Sequence, residues 1–145
     1  MKKLNKPIVV LDTNVFLVAL APQSPFSLIL DTLLEHLFTL VITNEILLEY
    51  EEVISRRYDS LLVKDIFELL LHLPNVIQRD VFFKWNFILN DLDDNKFVDI
   101  AIATNADYLV SSDKHFNILK EIPYPKVNLI GIDDFLEICA EMKKI

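Results

Sequence analysis

The ten residues PIVVLDTNVF, positions 7 to 16, run from an apolar tract straight into Asp12, Thr13 and Asn14. Ile8, Val9, Val10 and Leu11 read as a short strand buried on both faces, because β-branched side chains suit a pleated surface packed from two sides. A carboxylate that ends such a strand has two explanations. It caps a following helix, a position that Asp, Thr and Asn all favour. Or it faces a ligand at the carboxyl edge of a parallel sheet, where open α/β folds place their sites.

Working outward from this stretch, strands and helices alternate. Past Pro22 and Pro25 a helix is expected near 26–37, then a strand at 39–42 (TLVI) and helices at 44–57 and 60–72. A short extended piece, NVIQ, follows Pro74, and the aromatic stretch VFFKWNFIL at 81–89 fits no period clearly. A helix at 94–105, a strand at 107–111, a helical turn near 114–120, a strand at 127–130 and a last helix at 132–143 complete the chain. This alternation predicts an α/β fold with three α/β/α layers and a mostly parallel sheet. Right-handed crossovers then bring every strand's carboxyl end to one edge. No repeat or Gly/Ser linker divides the sequence, so residues 1–145 are expected to form one domain.

Composition narrows the chemistry. The single glycine, Gly131, excludes the P-loop, the GxGxxG dinucleotide turn and the GxSxG nucleophile elbow, each of which needs at least two. The one cysteine, Cys139, cannot form an internal disulfide and reads as a small buried hydrophobe in FLEICAEM. No apolar run reaches the ~18 residues of a membrane span, and the tract after Met1-Lys2-Lys3 is too short for a signal peptide. A soluble, cytoplasmic protein with no membrane partner is therefore expected. The net charge of −8 argues against a protein that coats nucleic acid, but not against one that meets it through bound cations.

The carboxylates are placed unevenly. Ser112-Asp113 closes the DYLVS strand as Asp12 closes the first, which puts two acids on one sheet edge. On the 44–57 helix, Ile46, Leu47, Tyr50, Val53 and Ile54 form an apolar arc, and Glu49 lies about 40° from Val53 at its border. Glu45, Glu51 and Glu52 fall outside that arc and read as solvated charges. On the next such helix Phe97, Val98, Ala101 and Ile102 make the apolar face. Asp94 projects the same way one turn before Val98, Asp99 lies roughly 60° beyond Ile102, and Asp93 reads as an N-cap. An EF-hand beginning at Asp91 fails, since Lys96 and Ile102 stand where Gly and Glu are required.

Acids gathered at a buried edge repel, so protons, arginines or metal ions must offset them. Arg56, Arg57 and Arg79 lie outside these segments, and His36, His72 and His115 lack metal-site spacing. Oxygen-only ligands favour Mg²⁺ or Mn²⁺ over zinc. His115, close to Asp113, is a candidate for substrate contact.

Three segments, VVLDTNVFLVAL, ITNEILLEYEEVISR and DLDDNKFVDIAIATNADYLVSSDKHF, occur in an order that resembles the PIN domain. The likeness is strongest to the branch described as toxin components of toxin–antitoxin pairs. It implies a metal-dependent ribonuclease of α/β/α fold acting on RNA, often a homodimer and often inhibited by an antitoxin protein. By the same resemblance the family's acids fall on Asp12, Glu49 and Asp113, with Ser111 in place of a threonine. The third acid falls on Asp94 or on Asp99, and helical phase ranks Asp94 first. Asn14 matches a motif asparagine that orders the Asp12 loop. Asn105 and Ser112 replace glycines common near the fourth strand, and Asn tolerates a left-handed cap. Two other readings compete with the nuclease. One is an aspartyl-phosphate phosphatase or phospho-acceptor, although Asn14 occupies the place of its second aspartate. The other is a catalytically silent module that binds metal or a partner.

Overall fold

A computed structural model describes residues 6–144. Five short strands form one wholly parallel sheet in the order β3-β2-β1-β4-β5. They are β1 (Ile8–Leu11), β2 (Thr39–Ile42), β3 (Val76–Gln78), β4 (Tyr108–Val110) and β5 (Leu129–Ile130). Helices α1 (Thr13–Leu20) and α2 (Ser27–Leu34) link β1 to β2, and α3 (Asn44–Ser55) and α4 (Ser60–His72) link β2 to β3. Helix α5 (Asn95–Ala103) leads into β4, and α6 (Ile132–Lys143) follows β5. Two 3₁₀ segments, Leu92–Asp94 and Lys114–Glu121, complete the regular structure among the described residues. The expected α/β class with a parallel sheet is what is found.

Right-handed crossovers fix the layers. The path β1 to β2 to β3 moves outward in one direction, so α1 to α4 share one face of the sheet. The return from β3 past β2 and β1 to β4 places α5 on the other face, against β1 and β4. Helix α6 comes back to lie on α2, where Lys143 pairs with Glu35. Direction along the sheet therefore reverses between β1 and β4, and the carboxyl ends of those two strands flank the switch point where such folds open a crevice.

Val9, Val10, Leu40, Val41, Ile42, Leu109 and Val110 are buried in the sheet, with Phe16, Phe38, Tyr50, Phe97 and Phe135 filling the layers around it. Tyr50 stacks on Phe16 at 4.2 Å between centroids, and its hydroxyl donates to the Leu11 carbonyl, which binds α3 to the end of β1.

Several boundaries differ from the sequence expectation. Helix α1 is the helix that Asp12 caps, and its range is not legible in the sequence because TNVFLVAL is apolar beyond Asn14 and shows no 3.6-residue alternation. The helix expected over 26–37 stops at Leu34. His36 takes a left-handed φ of 62° while its N–H bonds Leu33 O and that of Leu37 bonds Thr32 O, the Schellman arrangement. Helix α5 ends the same way, with Asn105 at φ 51° and the Ala106 N–H on Ala101 O. An asparagine thus serves where a glycine is common. The stretch 81–89 carries no regular secondary structure.

Candidate metal centre

Asp12 caps α1 and stands at the carboxyl edge of the parallel sheet. Its Oδ1 accepts the Asn14 N–H at 2.7 Å, capping α1, while its Oδ2 accepts the hydroxyl of Ser111 at the end of β4. The Asp12 N–H extends the pairing of β1 with β4 by donating to Val110 O at 3.1 Å. The carboxylate is held in the switch-point crevice by both neighbouring strands and is 6% exposed. Burial pushes its pKa up and the charge of Asp113 adds to this, while the Ser111 and Asn14 bonds oppose it.

Asp113 arrives from β4 by an equally local device. Its N–H donates to Ser111 Oγ at 3.1 Å, and its carboxylate caps the second 3₁₀ segment by accepting the His115 N–H at 2.9 Å. Ser111 therefore touches both aspartates. A cleft of about 360 Å³ opens beside them, lined by Asn14, Val15, Val18, Phe26, Ser112 and Ile132.

Asp94 closes the 3₁₀ turn that precedes α5. Its Oδ2 lies 3.3 Å from His115 Nδ1, which is also 3.6 Å from Asp113 and 3.9 Å from Asp91. Burial first, then the charges of Asp91, Asp113 and Asp12, raise Asp94 from 3.8 to about 6, with the His115 bond opposing. Asp91, Asp94 and His115 offer three ligand atoms within 4.8 Å of one another. Asp91 also caps the 3₁₀ turn by accepting the Asp93 N–H at 3.2 Å. It takes the capping role expected of Asp93, because the turn begins at Leu92, two residues before the expected helix start.

Glu49 sits at the rim, one quarter exposed, and is already engaged. It accepts the Thr13 hydroxyl and meets Lys96 Nζ at 2.6 Å. Lys96 also pairs with Asp93 at 3.0 Å. These bonds raise the lysine's pKa against the opposing effect of burial, and Lys96 in turn lowers that of Asp93. Sequence reasoning looked to arginines for neutralisation and missed this lysine. Its i,i+3 spacing from Asp93 was visible, but the reach of its stem across to α3 was not.

Asp99 points elsewhere. It is 5% exposed, and its Oδ1 accepts the Trp85 N–H at 3.1 Å, fastening the 81–89 stretch to α5. Burial raises its pKa and the nearby charge of Lys84 opposes the rise. Ser111 thus links Asp12 to Asp113, His115 lies between Asp113 and Asp94, Glu49 reaches the same edge through Thr13, and Asp99 lines a separate cleft. A roomier cavity of about 750 Å³, lined by Lys6, Thr39, Asn105 and Asp107 among others, contains none of the five acids.

The crevice suits a hard divalent cation. Burial first, and then the neighbouring carboxylates, push Asp94 toward neutrality, and Lys96 is spent on Glu49 and Asp93. The donors are carboxylate oxygens with one imidazole, a set that suits Mg²⁺ or Mn²⁺.

The PIN domain family model matches residues 8–115, which takes in β1, α3, α5 and the Asp113 turn. This chain belongs to the PIN domain family. Among solved structures it is similar to VapBC2 from Rickettsia felis, bound to a DNA fragment from their promoter. The match has a TM-score of 0.58 and 22% identity, covering 86% of this chain and 98% of that one. At that identity the likeness speaks for the PIN fold. No curated protein matches this chain. All five acids proposed from the sequence lie inside the matched span.

Proposed function

We propose that this PIN domain, acting as a single unit, is a divalent-metal-dependent endoribonuclease and the toxin component of a toxin–antitoxin pair. The observation that supports the reading is the run of acids along the switch-point edge, with Ser111 linking Asp12 to Asp113 and His115 lying 3.6 Å from Asp113 and 3.3 Å from Asp94. Burial first, then neighbouring carboxylate charge, pushes Asp94 up to about 6, and a cation would offset both. A bound Mg²⁺ or Mn²⁺ would lower the pKa of its water and offset charge on a scissile phosphate.

The chain's own groups supply the order that such chemistry needs. Asp12 and Asp113 are ligands fixed by Ser111 and by backbone N–H groups, so neither has to be rearranged when a cation arrives. Asp94 is the third ligand, and His115, whose Nδ1 lies 3.3 Å from it, is placed to turn toward substrate. Glu49, steered by Thr13 and Lys96, acts from the rim through water. Asp99 stands behind this shell as a positioning residue. The proposed partner is an antitoxin protein, in keeping with the two-component relative, and the proposed assembly is a homodimer acting in the cytoplasm. Among the described residues no helix is long and apolar enough to cross a membrane.

The test is cleavage of a mixed panel of RNAs with Mg²⁺ or Mn²⁺, with EDTA and Asp12→Asn as controls. Cleavage that needs both the ion and Asp12 supports the reading; cleavage that survives either control contradicts it.

A further inference from the structure

The stretch 81–89 is conspicuous for what it leaves in water. Phe82 is 93% exposed and Phe83 61%, although each could have been turned inward at no cost in chain length. The segment is nonetheless anchored. The buried carboxylate of Asp99 holds the Trp85 N–H, and the buried Asn95 amide grips Ile88 twice, accepting from its N–H at 2.9 Å and donating to its carbonyl at 2.8 Å. Phe83, Trp85 and Phe87 form a ladder across the first anchor, with ring centroids 4.7 and 5.6 Å apart. The strap thus presents exposed aromatic rings beside an anchored backbone, with Phe83 packed edge-on against the anchored Trp85.

Its position ties it to the candidate centre. Val81, Lys84 and Asn86 of the strap, together with Thr43, Glu45, Asp93, Lys96 and Asp99, line a polar cleft of about 230 Å³. Lys96 forms the wall between this cleft and Glu49, so the strap lies one residue's width from the rim of the acidic crevice. Lys84, between Phe83 and Trp85 in sequence, lines the cleft. Exposed rings with a cation among them, next to a phosphate-cleaving centre, are the features that hold unpaired nucleotides: bases stack on aromatic faces and cations meet the backbone.

We propose that the strap 81–89, pinned by Asp99 and Asn95, is a stacking platform for single-stranded RNA, with Phe82 and Phe83 holding bases beside the scissile phosphate. This rests on the ribonuclease reading and names the form of its substrate. Base-paired RNA keeps its faces stacked internally and cannot use the rings, so the platform selects unpaired segments. Asp99 serves recognition by fixing the backbone that carries the rings.

Trp85 is the sole tryptophan, so its emission reports directly on the strap. The full chain carrying Asp12→Asn is titrated, in Mn²⁺, with an end-labelled single-stranded RNA of roughly 12 nucleotides. Anisotropy gives Kd while Trp85 emission is followed. The expected result is a saturable emission change with the same midpoint as binding. Phe82→Ala and Phe83→Ala should each raise Kd by about five- to tenfold, as the loss of one stacked base requires, and the duplex form should bind more weakly. Phe82 is almost wholly in water, so its removal leaves the fold intact. RNA binding with silent Trp85 emission and unchanged Kd in both variants overturns the platform. So does a Phe82→Ala protein that changes from dimer to monomer at unaltered RNA affinity, which would make the strap an interface between copies. Metal-dependent cleavage that is lost with Asp12→Asn but keeps its KM in the double phenylalanine variant removes the platform and leaves the ribonuclease reading standing. Failure of every form to bind or cleave RNA removes both.

Discussion

Replacing Asp94 with asparagine is expected to stabilise the metal-free protein at neutral pH. The carboxyl is raised from 3.8 to about 6 in the folded state, so the unfolded chain releases this proton first. Below about pH 4 the group is neutral in both states and costs nothing. Between about pH 4 and 6 the folded state retains a proton the unfolded state has lost, and stability falls as pH rises, by at most about 1.4 kcal/mol per unit. Above about pH 6 the cost stays constant, with a ceiling of about 3 kcal/mol. About a fifth of the side chain is in water, and the asparagine variant weakens the hydrogen bond to His115, so a gain of about 1–2 kcal/mol is expected. Asp12 and Asp99 shift in the same direction, but they are common to both proteins and cancel in the difference. The assay is urea unfolding of wild type and Asp94→Asn in EDTA from pH 3.5 to 8. The two curves should meet at the acidic end and diverge through the window from about pH 4 to 6. Adding Mg²⁺ should reverse their order, because an ion that binds only the folded wild-type crevice stabilises it by mass action. A stability difference that does not vary with pH, or Asp94→Asn less stable throughout in EDTA, would refute the crowding argument.

Three further substitutions probe separate parts of the account. Glu49→Gln should lower RNA cleavage at least tenfold while Glu52→Gln, whose partner is the exposed Arg56, stays within about threefold, read as kcat/KM; equal losses would mean that α3 is misphased. Asp94→Asn should weaken Mn²⁺ binding by calorimetry at least tenfold and Asp99→Asn by less than about threefold, since only the first faces the crevice; the reverse order would place the ion in the neighbouring cleft. Asn75→Ala should cost about 2–4 kcal/mol in urea unfolding, because the buried amide donates to Phe38 O at 2.7 Å and to Leu33 O at 2.9 Å, where the His36 N–H also donates, and both bonds are lost; a cost below about 1 kcal/mol would mean that water replaces it.

The legible parts of this protein were those where a local pattern has one physical outcome. Runs such as VVL and TLVI, bounded by polar residues, could hardly be anything but buried strands, and their alternation with helices implied a parallel sheet, though not its strand order. Asp12 and Asp113 could be read because an acid closing a buried strand needs a reason. Helical phase separated Asp94 from Asp99 and Glu49 from Glu52. What stayed hidden depended on reach or on uniformity. Helix α1 is apolar on every side, so it offered no period to detect. The Lys96 stem crosses from α5 to α3, a contact that no spacing within one helix reveals. Asp91 was set aside with the failed EF-hand, yet it caps the turn and approaches His115. The strap 81–89 could not be assigned because its hydrogen bonds go to side chains, those of Asp99 and Asn95, and not to a ladder with any period.

The central claim is that one cation site lies at the switch point between β1 and β4. Its most direct test is a crystal structure of the Mn²⁺-soaked protein, with the ion located by anomalous scattering. The account predicts a peak coordinated by Asp12, Asp94 and Asp113, with Asp99 still bonded to the Trp85 N–H. An ion bound by Asp99 and Glu45 in the neighbouring cleft, or a fully ordered crevice that takes up no manganese, would contradict it.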